Sequence, residues 1–122
     1  MSTNLVGNFI IAAIPYTEMD GRYKSRPALV VSEQQWEGSL YYLVAPKFSA
    51  VEKCKGWNEV VISAEEAVAV GMDHEGVLRF NREHLAVIPA EKVLKVMKHL
   101  SRLPELKQQA LRNAARRLGC PM

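Results

Sequence analysis

Cysteine is nearly absent from this chain: Cys54 and Cys120 are the only two among 122 residues. They lie far apart and without metal-ligand spacing, which excludes a disulfide framework and a zinc site as organising features. The three histidines, His74, His84 and His99, fall on different predicted elements, so no shared metal site is expected. No glycine-rich loop follows any predicted strand, which removes the P-loop and dinucleotide-binding classes, and no cofactor is expected. Long apolar runs are missing too. The best candidate, "LVGNFIIAAIPY", is broken by Gly7 and Asn8 and stops at Pro15, short of the roughly 20 residues of a membrane span. With no charged segment at the N-terminus, a cytoplasmic protein without a membrane partner is the expectation. The formal net charge is only +3, so a nucleic-acid function requires cations clustered locally rather than bulk charge. Repeats, low-complexity tracts and linkers are lacking, and one domain is expected at this length.

What is present is a globular pattern, with 48% hydrophobic and 24% charged residues. Six short apolar segments bounded by proline, glycine and polar residues read as strands. They run over residues 9–16, 28–32, 39–46, 58–63, 76–80 and 85–89. The connections are too short for helical crossovers, so the sheet is expected to be antiparallel and strongly bent, or a small barrel. In "SAEEAVAVG", Ser63 and Glu66 suggest a capping box and Gly71 the end of a short helix. Past residue 90 the pattern changes. "AEKVLKVMKHL" places Val93, Leu94, Val96, Met97 and Leu100 on one helical face, with Lys92, Lys95 and Lys98 opposite. "PELKQQALRNAARRLG" does the same with Leu106, Ala110, Leu111, Ala114 and Leu118, between Pro104 and Gly119. The expected fold is α+β, mainly β: a barrel-like part over 1–90, then one or two amphipathic C-terminal helices over 91–122 packed on the same domain. The cations of those helices read as solvated faces.

Candidate chemistry is sparse. Cys54 has a lysine on each side, which favours its thiolate, but no histidine is near in sequence to act as its base. "DHE" at 73–75 reads as well as a polar turn as it does as a cation site. Charge is concentrated in "DGRYKSRPALVVSEQQW", where Arg22, Lys24 and Arg26 run into Pro27 and an apolar strand. Arginine forks onto phosphate oxygens, and Pro27 with the strand behind it holds Arg26 at a fixed point. Arg22, Tyr23 and Lys24 suit a single-stranded nucleic acid, the cations on phosphates and the ring on an unpaired base. Trp36 and Trp57 are able to stack in the same way, but more typically anchor a small core.

The run "IPYTEMDGRYKSRPALVVS" resembles the first strand, basic loop and second strand of the MazF/PemK-type toxins of bacterial type II toxin–antitoxin pairs. "YYLVAPKFSAVEK", "NEVVIS", the helix ending "VGM" and "GVLRFNREHLAVI" follow in the family's order, so the resemblance covers about Val6 to Val96. It implies the SH3-like barrel shared by MazF, Kid and CcdB, a homodimer, a cognate antitoxin protein, and a metal-independent endoribonuclease acting on single-stranded RNA. The implied reaction is attack by the neighbouring 2′-hydroxyl, leaving a 2′,3′-cyclic phosphate and a 5′-hydroxyl. Its phosphorane needs fixed charge and donors aimed at it. Arg26 matches the family's catalytic arginine and Arg79 its second arginine. Ser49 stands nearest the catalytic threonine, with Phe48 one position away as the other match. Lys47 adjoins that turn and joins Arg22, Tyr23, Lys24 and Asn81 as an expected RNA contact. The aspartate expected two residues past Arg79 is replaced by Asn81. Asparagine takes no proton at neutral pH, so general-base catalysis by that route is removed; Glu83 lies two residues further on. Two further readings keep the fold: a CcdB-like toxin that acts by binding gyrase, and a catalytically weak or inactive homologue that docks nucleic acid or protein.

Overall fold

The computed structural model of the chain describes residues 4–15, 23–49, 58–120 and 122. Among them are seven strands and two α-helices: β1 (Asn8–Pro15), β2 (Tyr23–Trp36), β3 (Ser39–Phe48), β4 (Glu59–Ile62), α1 (Ala64–Val70), β5 (Gly76–Arg79), β6 (Ala86–Pro89), β7 (Val93–His99) and α2 (Glu105–Arg117). Every strand pairing is antiparallel, in the order β4-β5-β3-β2-β1-β7, with β6 also paired to β3. The expected α+β, mainly β architecture is therefore present. No helix among the described residues is long and apolar enough to cross a membrane.

Two long strands bend the sheet. β2 pairs with β1 through Tyr23–Leu29 and with β3 through Ala28–Trp36, with a register shift between Val30 and Ser32. Such a bulge adds a residue to one strand and increases its local twist. β3 divides its outer edge in the same way, Tyr41–Val44 to β6 and then Lys47 and Phe48 to β5. The β2–β3 hairpin closes on Glu37 and Gly38, both at positive φ (51° and 80°). That is the two-residue geometry matching the twist of the flanking strands.

The central strands bury both faces, which is why they read as continuous apolar runs rather than as alternation. Phe9, Leu29, Val31 and Ala45 face one cluster, closed by Ala67 and Val70 of α1 and by Leu111, Ala114 and Ala115 of α2. Ile10, Ala12, Ile14, Ala28, Val30, Tyr42, Val44 and Ile88 form a second cluster inside the curl of the sheet. Helix α1 starts as its sequence indicates. Ser63 Oγ accepts from the Glu66 N–H, Glu66 returns the bond to the Ser63 N–H, and Gly71 ends the helix at φ 96°.

The segment after residue 90 corrects the sequence reading. "AEKVLKVMKHL" is not a helix: Ala90–Lys92 and Leu100–Arg102 are short 3₁₀ turns, and Val93–His99 between them is β7, the partner of β1. Its register to β1 shifts twice, between Asn8 and Ile10 and between Ile11 and Ala12. Each shift puts an extra residue on β7, so strict two-residue alternation is lost and apolar spacings of three and four remain, the signature of a helix. Only α2 is helical in this region, and its face is narrower than expected. Leu111, Ala114 and Ala115 are buried, whereas Leu106 is 81% exposed. Met97, Leu100 and Leu103 join the same cluster as Phe9 and Leu29, so the C-terminal segment shares the core of the strands.

Gly76 opens β5 against β3 at a point with no room for a side chain. A Cβ there would stand 2.6 Å from both Lys47 Cγ and the Phe48 carbonyl oxygen. Gly76→Ala is expected to destabilise the fold by about 1–3 kcal/mol, the usual cost of overpacking. It should appear as a lower denaturation midpoint at unchanged m-value.

Candidate functional site

The bent sheet brings three adjacent strands, β2, β3 and β5, together at one end, and each contributes one side chain to a single cluster. Phe48 is the last residue of β3 and pairs with Val77 of β5. Arg79 lies two residues beyond Val77 on the same face of β5, the diagonal position from which a long side chain reaches a cross-strand neighbour. On the other side of β3, Ala28 pairs with Pro46; two residues further along the two strands stand Arg26 and Phe48. Both guanidinium groups lie over the Phe48 ring, Arg26 at 5.2 Å and Arg79 at 5.0 Å from its centroid. These are cation–π distances.

Each arginine is also held from the side. Arg26 donates to the Lys47 carbonyl at 3.4 Å. Arg79 pairs across the β4–β5 ladder with its register partner Glu59, Nε to Oε2 at 3.6 Å. His84 completes the cluster, its ring meeting Phe48 edge-on at 5.5 Å and 72°. It sits on the 3₁₀ turn Arg82–His84, which Asn81 begins. The Asn81 carbonyl accepts the backbone N–H groups of His84 (2.9 Å) and Leu85 (3.2 Å), and Asn81 Nδ2 lies 3.4 Å from His84 Nδ1.

The cluster borders an open groove of about 740 Å³. Arg26, Arg79 and His84 give its lining polar groups, Ile14, Pro15, Phe48, Leu85 and Val87 give it apolar ones, and Glu83 also lines it. Fixed positive charge beside an apolar surface suits a ligand that is anionic at one end and flat or apolar at the other.

The sequence candidates separate. Arg26 and Arg79 meet at the groove. Ser49, one residue past β3, is exposed and is not part of the groove lining. Lys47 is turned away, because neighbours on a strand leave opposite faces. Its Nζ donates to the carbonyls of His74 (2.6 Å) and Glu75 (3.4 Å). Burial holds its ammonium below the usual lysine value, and the carboxylates of Glu75 and Asp73 partly offset that shift. The turn at 73–75 thus anchors Lys47. No group of three or more His, Cys, Asp or Glu placed to hold a metal ion occurs among the described residues.

Asn81 stays out of the groove lining and acts on His84 instead. Tyr23 opens β2 half exposed, with the Lys92 ammonium 4.5 Å from its ring centroid, and Lys24 is exposed beside it. Trp36 is no core anchor: it sits at the hairpin tip, 66% exposed, tilted against Tyr41 at 6.5 Å. Arg22, Cys54 and Trp57 lie outside the described residues.

His84 was missed by sequence reasoning as a site component, and Phe48 entered only as the other match to the threonine position, not as the ring that carries the arginines. For Phe48 the only local signal was an aromatic at the end of an apolar strand, next to the expected hydroxyl turn. For His84 there was none, because it reaches Phe48 only through the pairing of β3 with β5 and the turn that follows. No protein-family model matches this chain, and no curated protein matches it significantly.

The ring that gathers the two arginines is open to test. Phe48→Leu keeps apolar volume and removes the π face, and should cost about 1 kcal/mol through the two lost cation–π contacts. Phe48→Ala adds lost burial and should cost roughly 2–3 kcal/mol. A Phe48→Leu variant as stable as the wild type in chemical denaturation, beside a destabilised Phe48→Ala, would show that the ring acts by volume alone.

Proposed function

We propose that the groove binds single-stranded RNA and that the protein is an endoribonuclease toxin of the MazF/PemK kind, with the SH3-like barrel of that family as its fold. The single observation that carries this reading is the convergence of Arg26 and Arg79 on Phe48 in the lining of a groove that also presents apolar side chains. Both arginines were matched to the family from sequence, one from each side of what the structure makes a common strand.

The reaction places specific demands on such a site. As the 2′-oxygen attacks phosphorus, the O2′–P bond forms and the P–O5′ bond breaks; the 2′-hydroxyl proton passes to water, the departing 5′-oxygen takes one from water, and negative charge builds on the two non-bridging oxygens. Guanidinium groups already fixed in place stabilise that charge without reorganising at the moment of reaction. The Phe48 ring, Glu59 and the Lys47 carbonyl provide the fixing. The apolar side chains of Ile14, Pro15, Leu85 and Val87 offer an unpaired base a surface next to the scissile phosphate. In this reading Ser49 lies at the margin of the site rather than at its centre, and Lys47 supports it structurally. A homodimer and an antitoxin protein that competes with RNA for the groove belong to the same reading.

The test is cleavage of a mixed-sequence single-stranded RNA in the presence of EDTA. The wild type should cut and leave 2′,3′-cyclic phosphate ends, and the all-deoxy strand of the same sequence should bind without being cut. Arg26→Ala and Arg79→Ala should each lower the rate about 10²–10³-fold, the cost of removing one pre-aimed donor. Arg26→Lys should recover little, because an ammonium lacks the planar fork. Intact RNA at high protein concentration would refute the nuclease. Binding that weakens with salt, with a slope smaller by about one in each arginine variant, would then leave an RNA-docking protein.

A further inference from the structure

Asn81 and His84 bear on the same site in a way the two arginines do not explain. Asn81 Nδ2 lies 3.4 Å from His84 Nδ1; an amide nitrogen carries hydrogens and no available lone pair, so a hydrogen bond in this contact takes Nδ1 as its acceptor. A neutral imidazole whose Nδ1 accepts carries its proton on Nε2. The two ring nitrogens lie on different sides of the ring, so Nε2 is on the side away from Asn81. His84 borders the groove and Asn81 does not.

Phe48 packs against the His84 ring edge-on at 72°, and the His84 backbone N–H donates to the Asn81 carbonyl at 2.9 Å, which fixes the turn that carries the ring.

We propose that His84 is a third donor of this site, presenting Nε2–H to a phosphoryl oxygen of a nucleic-acid strand in the groove, and that Asn81 is the positioning residue that sets its tautomer. The inference rests on the reading that the groove holds a nucleic-acid backbone. It gives the asparagine at 81 a chemical purpose. An aspartate there would accept from Nδ1–H, move the neutral ring's proton to Nδ1, and turn the Nε2 lone pair outward. That arrangement suits a proton acceptor and repels a phosphate oxygen. The amide instead yields a site composed of donors: two guanidiniums and one imidazole N–H. No proton need leave His84 for this role, and no bond to it forms or breaks.

The experiment uses the full chain with ¹⁵N-labelled histidine and an uncleavable probe, a mixed-sequence 2′-O-methyl oligoribonucleotide. In the free protein His84 should show a protonated Nε2 and an unprotonated Nδ1, and saturation with the probe should shift the Nε2 resonance. Asn81→Asp should invert the tautomer and weaken probe binding by about tenfold, the loss of one hydrogen bond to a charged group. His84→Ala should weaken binding by a similar factor. His84→Gln, whose amide N–H can take the place of Nε2–H, should stay within about threefold of the wild type.

An Nδ1-protonated tautomer in the free wild type would overturn the inference, as would an Nε2 signal unmoved while the probe binds. Equal losses for His84→Ala and His84→Gln in proteins with unchanged backbone spectra would do the same. If the wild type binds neither probe nor RNA, the nucleic-acid reading itself falls and the donor role with it. If the probe binds and the tautomer is as described but RNA stays intact, the donor role stands and only the nuclease is lost.

Discussion

Two cations held against one aromatic ring are the constraint around which this end of the molecule is built. Like-charged guanidiniums disperse in water, and a cation–π contact contributes only about 0.5–2 kcal/mol. Phe48 alone is therefore too weak an organiser for both. Their gathering depends on strand order: β3 lies between β2 and β5, so that Arg26 and Arg79 arrive from its two sides. Glu59 then takes Arg79 across the β4–β5 ladder, and the Lys47 carbonyl takes Arg26. Each charge is positioned by a backbone ladder first and by the ring second.

That strand order in turn requires β3 to leave one neighbour for another along its length, from β6 at Tyr41–Val44 to β5 at Lys47–Phe48. The switch occurs at Pro46, which donates no ladder hydrogen bond and so suits a point where pairing changes hands. Beyond it, Gly76 lets β5 approach closely, and Lys47 reaches past that glycine to the carbonyls of His74 and Glu75. The two residues after the proline thus divide their work. Lys47 pins β3 to the α1–β5 turn on one face, while Phe48 carries the arginines and His84 on the other.

How much of this was legible beforehand follows from the range of each determinant. Strands buried on both faces announce themselves as runs such as "FIIAAIP" and "ALVV", and α1 announces itself through Ser63, Glu66 and Gly71, all local signals. β7 was illegible because its two register shifts replace alternation with helical spacing; only its pairing with the edge of β1 decides the outcome. Arg26 was legible because an arginine fixed by proline at the head of an apolar segment is itself a local pattern. Lys47 misled for the complementary reason. A cation beside a candidate turn looks available, and only the face it leaves by shows that the fold consumes it. Phe48 and His84 are 36 residues apart in sequence and meet through sheet pairing, which no local window contains.

Asn81 shows how one departure from an expected pattern can alter the chemical character of a site while leaving its scaffold intact. Its carbonyl closes the 3₁₀ turn through the N–H groups of His84 and Leu85, a backbone task that aspartate would perform equally well. What separates amide from carboxylate is the side chain, since only the amide donates. Under the proposed reading, exchanging acceptor for donor moves the site from proton removal toward charge stabilisation. For phosphoryl transfer that is no impoverishment. Charge accumulates on the phosphoryl oxygens in the transition state, and donors fixed before the reaction act on that charge directly. A site without a carboxylate at 81 is then a different balance of the same two demands, not an incomplete version of the other. Because His84 is tied to Phe48 and Phe48 to both arginines, the donors sit on one shared support, and a shift of that ring would disturb all three together.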